Sequence, residues 1–282
     1  MKTLVIYHAG CCDGFCAAWI IRNALTGQEV EYHAAHYGTK PPDLAYDRDV
    51  RLFVVDFSYP RDTMFTLAAM RHQPMIVLDH HKTAMSALID LDIELLSHNC
   101  GDALSLTFDM NLSGGRLTWN HFHPGKTAPW IVDYTEDRDL WKFALPESHE
   151  INAALRSYPL DFDIWDALAA FPAANLISEG AAIMRMQKRF INDHIKNAKE
   201  IMMNGHSILA VNATVLFSEI AGELAVGRPF GACYFDRGDG MRQWSLRSTA
   251  NGLDVSEIAA THGGGGHRNA AGFEQAIALP SI

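Results

Sequence analysis

The first part of the chain repeats one pattern, a short and continuously apolar run followed by a helical pattern. The apolar runs are residues 3–7 (TLVIY), 51–57 (RLFVVDF) and 75–81 (MIVLDHH), and helical patterns occupy residues 15–25, 60–71 and 100–110. Strands that are buried on both faces of a parallel sheet have this continuously apolar character. The alternation therefore predicts an α/β fold with a mostly parallel sheet flanked by helices.

Polar residues follow these runs at the points where the strands should end. His8 follows the first run, Asp56 ends the second, and Asp79-His80-His81 ends the third. In open α/β sheets, ligands bind just beyond the carboxyl ends of the strands. We therefore expect these imidazoles and carboxylates to converge on one site.

The pattern changes in the last third of the chain. Residues 176–200 have apolar positions at helical spacing and predict a linker helix. After it, shorter strand and helix patterns predict a smaller α/β domain. The predicted domains are residues 1–175, a metal-binding catalytic domain, residues 176–200, the linker, and residues 201–282, a substrate-binding domain.

Composition narrows the class of protein. A chain of 282 residues with 48% apolar content is long enough for two domains. Its formal net charge of -10 argues against stable binding of duplex DNA, which usually needs a broad basic surface, but permits a small anionic substrate. The sequence predicts no membrane span and no signal peptide. An odd number of cysteines, five, favours a reducing compartment, so we expect a soluble, cytoplasmic protein.

The converging residue types suggest divalent-metal chemistry. Imidazoles together with carboxylates suit manganese, with magnesium or another divalent metal as alternatives. Two ions about 3.5–4 Å apart can activate water and stabilise the leaving oxygen of a phosphate ester. A carboxylate that bridges two ions has to lie centrally, which points to Asp56.

The order of these motifs resembles the DHH phosphoesterase superfamily with its DHHA1 domain, which includes nanoRNases and the exonuclease RecJ. The resemblance rests on His8, Asp13-Gly14, Asp56, Asp79-His80-His81 and Asp137, followed by the glycine run 263–266 with His267 and then Ala270-Ala271-Gly272. It spans almost the whole chain. The resemblance implies a two-metal phosphoesterase that hydrolyses phosphate esters of small nucleotides or short single-stranded oligonucleotides with metal-activated water.

The resemblance also implies roles for individual residues. The implied metal ligands are His8, Asp13, Asp56, His80 and Asp137. Asp133 is the alternative to Asp137, and Asp139 is expected to support the ligands without binding metal itself. The implied catalytic residues are His81, facing the substrate phosphate, and Asp79, orienting the histidine pair.

One position departs from the family pattern. Most members have two aspartates in the first motif, whereas this chain has Cys11 two residues before Asp13. One metal position is therefore weaker, empty, or completed by a Cys11 thiolate. Cys11 favours one alternative function, a catalytically weak nucleotide-binding regulatory protein. A single-strand exonuclease is the other alternative, within the phosphoesterase class itself.

The glycine run near the carboxyl terminus predicts close approach of a ligand. Residues without Cβ expose backbone N–H groups and adopt conformations that other residues avoid. Arg247 lies on a preceding strand and can bind a phosphate through two hydrogen bonds. The predicted substrate-binding residues are Arg247, Gly264, Gly265, Gly266 and His267.

Overall fold

A computed structural model describes residues 2–98, 100 and 103–277. The chain forms two compact units, an amino-terminal unit, Met1–Met184, and a carboxyl-terminal unit, Arg185–Ile282. The division of the chain into catalytic domain, linker and substrate-binding domain at residues 175 and 200 stays a prediction.

The amino-terminal unit is built on a five-stranded, wholly parallel sheet with the order β2-β1-β3-β4-β5. Its strands are β1 Thr3–His8, β2 Val30–Ala35, β3 Arg51–Val55, β4 Met75–Asp79 and β5 Leu104–Phe108. Its helices are α1 Cys12–Ala24, α2 Arg61–Ala69, α3 Lys82–Leu88, α4 Leu91–Ser97, α5 Gly114–Phe122, α6 Trp130–Asp139, α7 Ser148–Leu155 and α8 Phe162–Ala169, and α9 Ile177–Ile195 begins in this unit and ends in the other. The predicted α/β class with a parallel sheet is confirmed.

Both faces of this sheet are buried, as the continuously apolar strands predicted. Leu4 and Ile6 of β1 belong to one apolar cluster with residues of α2 and α4, whereas Val5 belongs to another with residues of α1. Successive side chains of a strand point to opposite faces. Helices on both sides of the sheet therefore require apolar residues at the successive positions Leu4, Val5 and Ile6 of β1.

The predicted helix at residues 100–110 is wrong. Residues Leu104–Phe108 form β5, which pairs in parallel with β4 at the edge of the sheet. The sequence LSLTF alternates apolar and polar residues, and exposure alternates with it. This period of two is typical of an edge strand. The run is so short that its apolar residues also fit helical spacing, which explains the wrong prediction.

The carboxyl-terminal unit contains a six-stranded mixed sheet with the order β10-β11-β9-β8-β7-β6. Its elements are β6 Lys199–Met203, β7 His206–Asn212, α10 Phe217–Ala225, β8 Gly231–Asp236, β9 Met241–Arg247, α11 Val255–Ala260, β10 Gly265–His267 and β11 Ala270–Ala276. The pair β7 and β8 is parallel and the other neighbours are antiparallel. The predicted second α/β unit is confirmed.

Helix α9 occupies most of the predicted linker, and the boundary between the two units falls within it. Across the residues that the structure describes, no single helix has the length and apolar character of a membrane span. The segments Phe162–Ala169 and Ala173–Ile195 reach that length and composition only together, with a bend of 113° at the break between them.

Candidate metal centre

Three neighbouring strand ends carry the polar residues of the candidate site. His8 is the last residue of β1, Asp56 directly follows β3, and Asp79 is the last residue of β4. In the sheet, β2 lies on one side of β1 and β3 lies on the other, so the strand order reverses at β1. Doubly wound sheets bind ligands beyond the strand ends at such a switch point. The structure thus brings these sequence-predicted residues together.

Asp56 has an unusual backbone conformation, with φ of 52° in the left-handed region. Aspartate tolerates this region better than most residues other than glycine and asparagine. Its N–H donates to the Leu78 carbonyl at 2.9 Å, which continues the pairing between β3 and β4 past the last strand residue. Asp56 is therefore held at the sheet edge by its main chain, and its side chain is 1% exposed.

The buried imidazole of His80 faces three carboxylates. Its Nε2 lies 3.0 Å from Asp56 Oδ1, 3.4 Å from Asp139 Oδ2 and 3.7 Å from Asp13 Oδ2. Burial acts to lower the pKa of His80, but the hydrogen bond to Asp56 and the charges of Asp139 and Asp13 outweigh it and raise the pKa to about 10. This point in the protein therefore strongly attracts positive charge.

Two groups of potential metal-ligand atoms that share no residue with each other meet here. Within each of them, the ligand atoms all lie within 4.8 Å of one another. They are the oxygen-rich group, Asp13, His80 and Asp139, and the cysteine group, His8, Cys11 and Asp56. Asp56 connects them, because its Oδ1 lies 3.0 Å from His80 Nε2 and its Oδ2 lies 3.6 Å from His8 Nδ1. A carboxylate with one oxygen towards each group has the arrangement that a bridging metal ligand needs.

The electrostatics of the carboxylates fit bound cations. Burial raises the pKa of Asp13 well above its ordinary value, and the charges of Asp56 and Asp139 raise it further. Burial also raises the pKa of Asp139. For Asp56, burial acts in the same direction, but its interactions with His8 and His80 outweigh it and hold the pKa well below the ordinary value.

Two buried oxygens add to this argument. Asp56 Oδ2 and Asp139 Oδ2 have no hydrogen-bond partner among the described residues. A buried carboxylate oxygen without a partner is costly in free energy unless it binds a cation. The donor set of imidazoles and carboxylates therefore fits divalent metal ions.

Asp79 is fully buried and forms hydrogen bonds with the loop after β4 and with Ser58 in the loop after β3. Its Oδ1 accepts from the main-chain N–H groups of His80 and His81 at 2.7 and 3.2 Å and contacts His81 Nδ1 at 2.7 Å. Its Oδ2 accepts from Ser58 Oγ at 2.7 Å. These contacts are the ones that an orienting role for Asp79 requires, and that role stays a prediction.

The amino terminus of α5 completes the site and was missed from the sequence. The N–H groups of Gly114 and Gly115 donate to Asp13 Oδ2 and Oδ1 at 2.6 and 3.0 Å. Ser113 caps the helix by accepting from the Arg116 N–H at 3.2 Å. The N-cap residue Ser113 before Gly114 and Gly115, a short loop after the run at residues 104–108, is the sequence signal that could have revealed this helix start.

Comparisons with known proteins bear on the fold. No protein-family model matches the sequence. The uncharacterised protein R106 of Acanthamoeba polyphaga mimivirus is 28% identical over 291 residues, covering 96% of this chain and 66% of that protein. This chain therefore spans slightly less than two thirds of that relative's length.

Solved structures give a second comparison. The exonuclease RecJ bound to manganese aligns over 98% of this chain and 86% of its own, with a TM-score of 0.50 and 14% identity. The chain therefore shares the fold of this exonuclease. A pGpG-specific phosphodiesterase, PggH of Vibrio cholerae, aligns over 98% of this chain and 94% of its own, with a TM-score of 0.48 and 14% identity.

The structure changes our choice of the aspartate that the family resemblance assigns to the fourth motif. The Asp137 carboxylate accepts from the N–H groups of Ala144 and Leu145 at 2.9 and 3.2 Å, so it holds the turn after α6. Asp133, the alternative, is ion-paired with Arg116. Asp139 instead lies beside His80 and Asp13. The geometry therefore favours Asp139 over Asp137, and metal binding by Asp139 is a proposal.

The glycines of the DHHA1-like segment have a packing reason of their own. A Cβ on Gly264 would lie 2.1 Å from the Gly272 carbonyl oxygen and 2.5 Å from Phe273 Cβ. Gly266 has φ of 140°, and a Cβ there would lie 2.5 Å from the Ala270 carbonyl oxygen. The close β10–β11 hairpin thus requires glycine at both positions, and their substrate role stays a prediction.

Arg247 and His267 lie on neighbouring parts of the same sheet. Arg247 ends β9 and pairs with Ala270 of β11, and Ala270 also pairs with His267 of β10. The Arg247 guanidinium donates to Ser218 Oγ at 2.6 Å and to the Leu246 carbonyl at 2.8 Å. These bonds fix its position within the carboxyl-terminal unit. The proposed roles of Arg247, Gly265 and His267 in substrate binding are untested.

Proposed function

We propose that this protein is a divalent-metal-dependent phosphoesterase that hydrolyses phosphate esters of small nucleotides or short single-stranded oligonucleotides. The observation that carries the proposal is the position of Asp56, whose two oxygens face the oxygen-rich group and the cysteine group separately. The DHH fold shared with manganese-bound RecJ supports the same chemistry. Manganese is the proposed metal, with magnesium as the alternative.

The proposed ligands are divided between the two groups. Asp13, His80 and Asp139 would hold one ion, His8 would hold the other, and Asp56 would contact both. When bound, two such ions supply an activated water and neutralise charge on the phosphoryl oxygens. The side chains that would bind the ions have to be held in fixed positions, because catalysis by bound metals depends on preorganised ligand geometry.

Residues around the metal ligands would orient those ligands and donate hydrogen bonds to the substrate. With Nδ1 held by Asp79, His81 would use Nε2 to contact a phosphate oxygen of the substrate. Asp79 itself stays ionised: burial acts to raise its pKa, but the charge and hydrogen bond of His81 lower it below the ordinary value. The Gly114 and Gly115 N–H groups fix both oxygens of Asp13, so that this carboxylate has one orientation.

Net charge and fold bear on the substrate class. The net charge of -10 disfavours long nucleic acids, which supports a small nucleotide or short oligonucleotide. The fold shared with the exonuclease RecJ favours a single-strand exonuclease as the second candidate. We propose a cytoplasmic location because the five cysteines, an odd number with no disulfide among the described residues, suit a reducing compartment.

A metal-dependence experiment with a substrate panel tests the proposal. Protein stripped with EDTA should lose hydrolysis of bis(p-nitrophenyl) phosphate and regain it with Mn²⁺. The panel comprises dinucleotides, adenosine bisphosphate, cyclic dinucleotides and single-stranded DNA. Full activity of metal-free protein would exclude the mechanism, and preference for long single-stranded DNA would select the exonuclease.

A further inference from the structure

The cysteine group differs chemically from the oxygen-rich group. The oxygen-rich group offers one imidazole and two carboxylates, whereas the cysteine group offers an imidazole, a thiol sulfur and the second oxygen of Asp56. Sulfur and imidazole ligands favour softer or borderline cations, while carboxylates favour harder ones. The two halves of the centre therefore have different metal preferences built into their ligands.

Local backbone structure places Cys11 beside His8. Gly10 adopts φ of 66° in the short turn between β1 and α1. A Cβ on Gly14 would lie 2.4 Å from the His8 carbonyl oxygen and 2.9 Å from His8 Cβ, so the first turn of α1 packs directly on His8. Cys11 immediately precedes this helix. The tight turn and the bare Gly14 together bring the thiol within ligand distance of the imidazole.

The neighbouring cysteines lie in a different environment. Cys12 and Cys16 belong to an apolar cluster with Phe15 and Trp19. Cys11 instead belongs to the group that contains His8 and Asp56, and the buried Oδ2 of Asp56 has no hydrogen-bond partner among the described residues. The sulfur, the imidazole and the carboxylate oxygen thus form three sides of a potential cation position.

We propose that Cys11 is a thiolate ligand and that the two groups bind different metals. The cysteine group favours Zn²⁺ or Co²⁺, and the oxygen-rich group favours Mn²⁺ or Mg²⁺. Metal binding replaces the S–H bond of Cys11 with a sulfur–metal bond, and the proton is released to solvent. This inference rests on the proposed function, because it concerns the metals of the same site.

Cobalt spectroscopy on the metal-stripped full-length protein tests the ligand directly. A thiolate bound to Co²⁺ gives a charge-transfer band in the near ultraviolet, in addition to the ligand-field bands that oxygen and nitrogen ligands also give. We expect the charge-transfer band in the wild type and in the control variant Cys12→Ser. Cys11→Ser should lose it and keep ligand-field absorption from the oxygen-rich group.

Metal competition provides a second measurement. Cys11→Asp replaces sulfur with oxygen, so the preference for Zn²⁺ over Mn²⁺ should fall at least about tenfold relative to the wild type. Circular dichroism establishes that each variant is folded. An unchanged preference in this variant would contradict a Cys11–metal bond.

The outcomes separate this inference from the proposed function. Wild-type protein that binds Co²⁺ without a charge-transfer band, or a band that survives Cys11→Ser, would overturn the inference alone, provided that Mn²⁺ still restores phosphoesterase activity. Failure of the wild type to bind any divalent cation would overturn the proposed function as well.

Discussion

Gly114 at the start of α5 packs directly against Asp56 at the end of β3. A Cβ on residue 114 would lie 2.5 Å from Asp56 Cβ and 2.9 Å from Asp56 Cα. Real side chains do not approach so closely, so even a methyl group has to displace one of the two elements. The position of the proposed bridging carboxylate therefore depends on a glycine that has no ligand atom of its own.

Gly114→Ala should consequently destabilise the protein and weaken metal binding. Overpacking a closely packed interior typically costs about 1–3 kcal/mol, and here the displaced residue is Asp56. Denaturant unfolding and Mn²⁺ titration measure the two effects. Gly238→Ala is the matched control, because a Cβ there meets nothing within 4 Å. Equal behaviour of the two variants would contradict the packing argument.

Asp56→Asn should be the most damaging of the ligand substitutions. Asparagine also tolerates the left-handed conformation at φ of 52°, so the backbone should be preserved while charge is lost from both groups. We expect kcat/KM to fall at least about 100-fold, which is about 2.7 kcal/mol, together with loss of bound metal. Full metal content with normal activity would exclude a bridging role.

Substitutions of Asp137 and Asp139, near the end of α6, should have different effects on metal affinity and on stability. Asp139→Asn should lower Mn²⁺ affinity at least about tenfold. Asp137→Asn should instead lower stability by about 1–3 kcal/mol, because it disturbs the acceptors for the Ala144 and Leu145 N–H groups. The reverse result would restore Asp137 as the ligand.

The same Asp139 variant should be more stable than the wild type when metal is absent. Burial raises the pKa of Asp139, so its charge is less favourable in the folded than in the unfolded protein. For an acid of this kind, the penalty is present above the folded pKa and disappears as the pH falls below the unfolded pKa. In thermal melting with EDTA, the Tm of Asp139→Asn should be higher than the Tm of the wild type at neutral pH. This difference in Tm should vanish in acid.

Substrate preference should depend on the carboxyl-terminal unit. Arg247→Ala or His267→Ala should lower kcat/KM on nucleotide substrates by about 10–100-fold, corresponding to about 1.5–3 kcal/mol for a lost charge-assisted hydrogen bond. A small aryl phosphodiester should be affected less. Ser218→Ala is the control, because it removes one hydrogen-bond acceptor of Arg247 but keeps the guanidinium and its bond to the Leu246 carbonyl. Equal losses on both substrates would assign these residues to the chemical step.

The sequence by itself determined the parallel sheet and the residues at its edge. Strands buried on both faces must be apolar at every position, as at Leu4, Val5 and Ile6, and polar residues such as His8 and Asp56 mark where that burial ends. Because this information is local, it can be found without knowing what the strands pack against.

Only the tertiary structure decided the choice between Asp137 and Asp139. The two residues lie two positions apart on α6, where side chains point to different sides of the helix, and the linear sequence does not show which side faces His80. The same holds for Gly114 and Gly115, whose need for a missing Cβ arises from Asp56 and Asp13, far away in the chain. Contacts of this kind depend on how distant elements pack, which no local pattern of residues records.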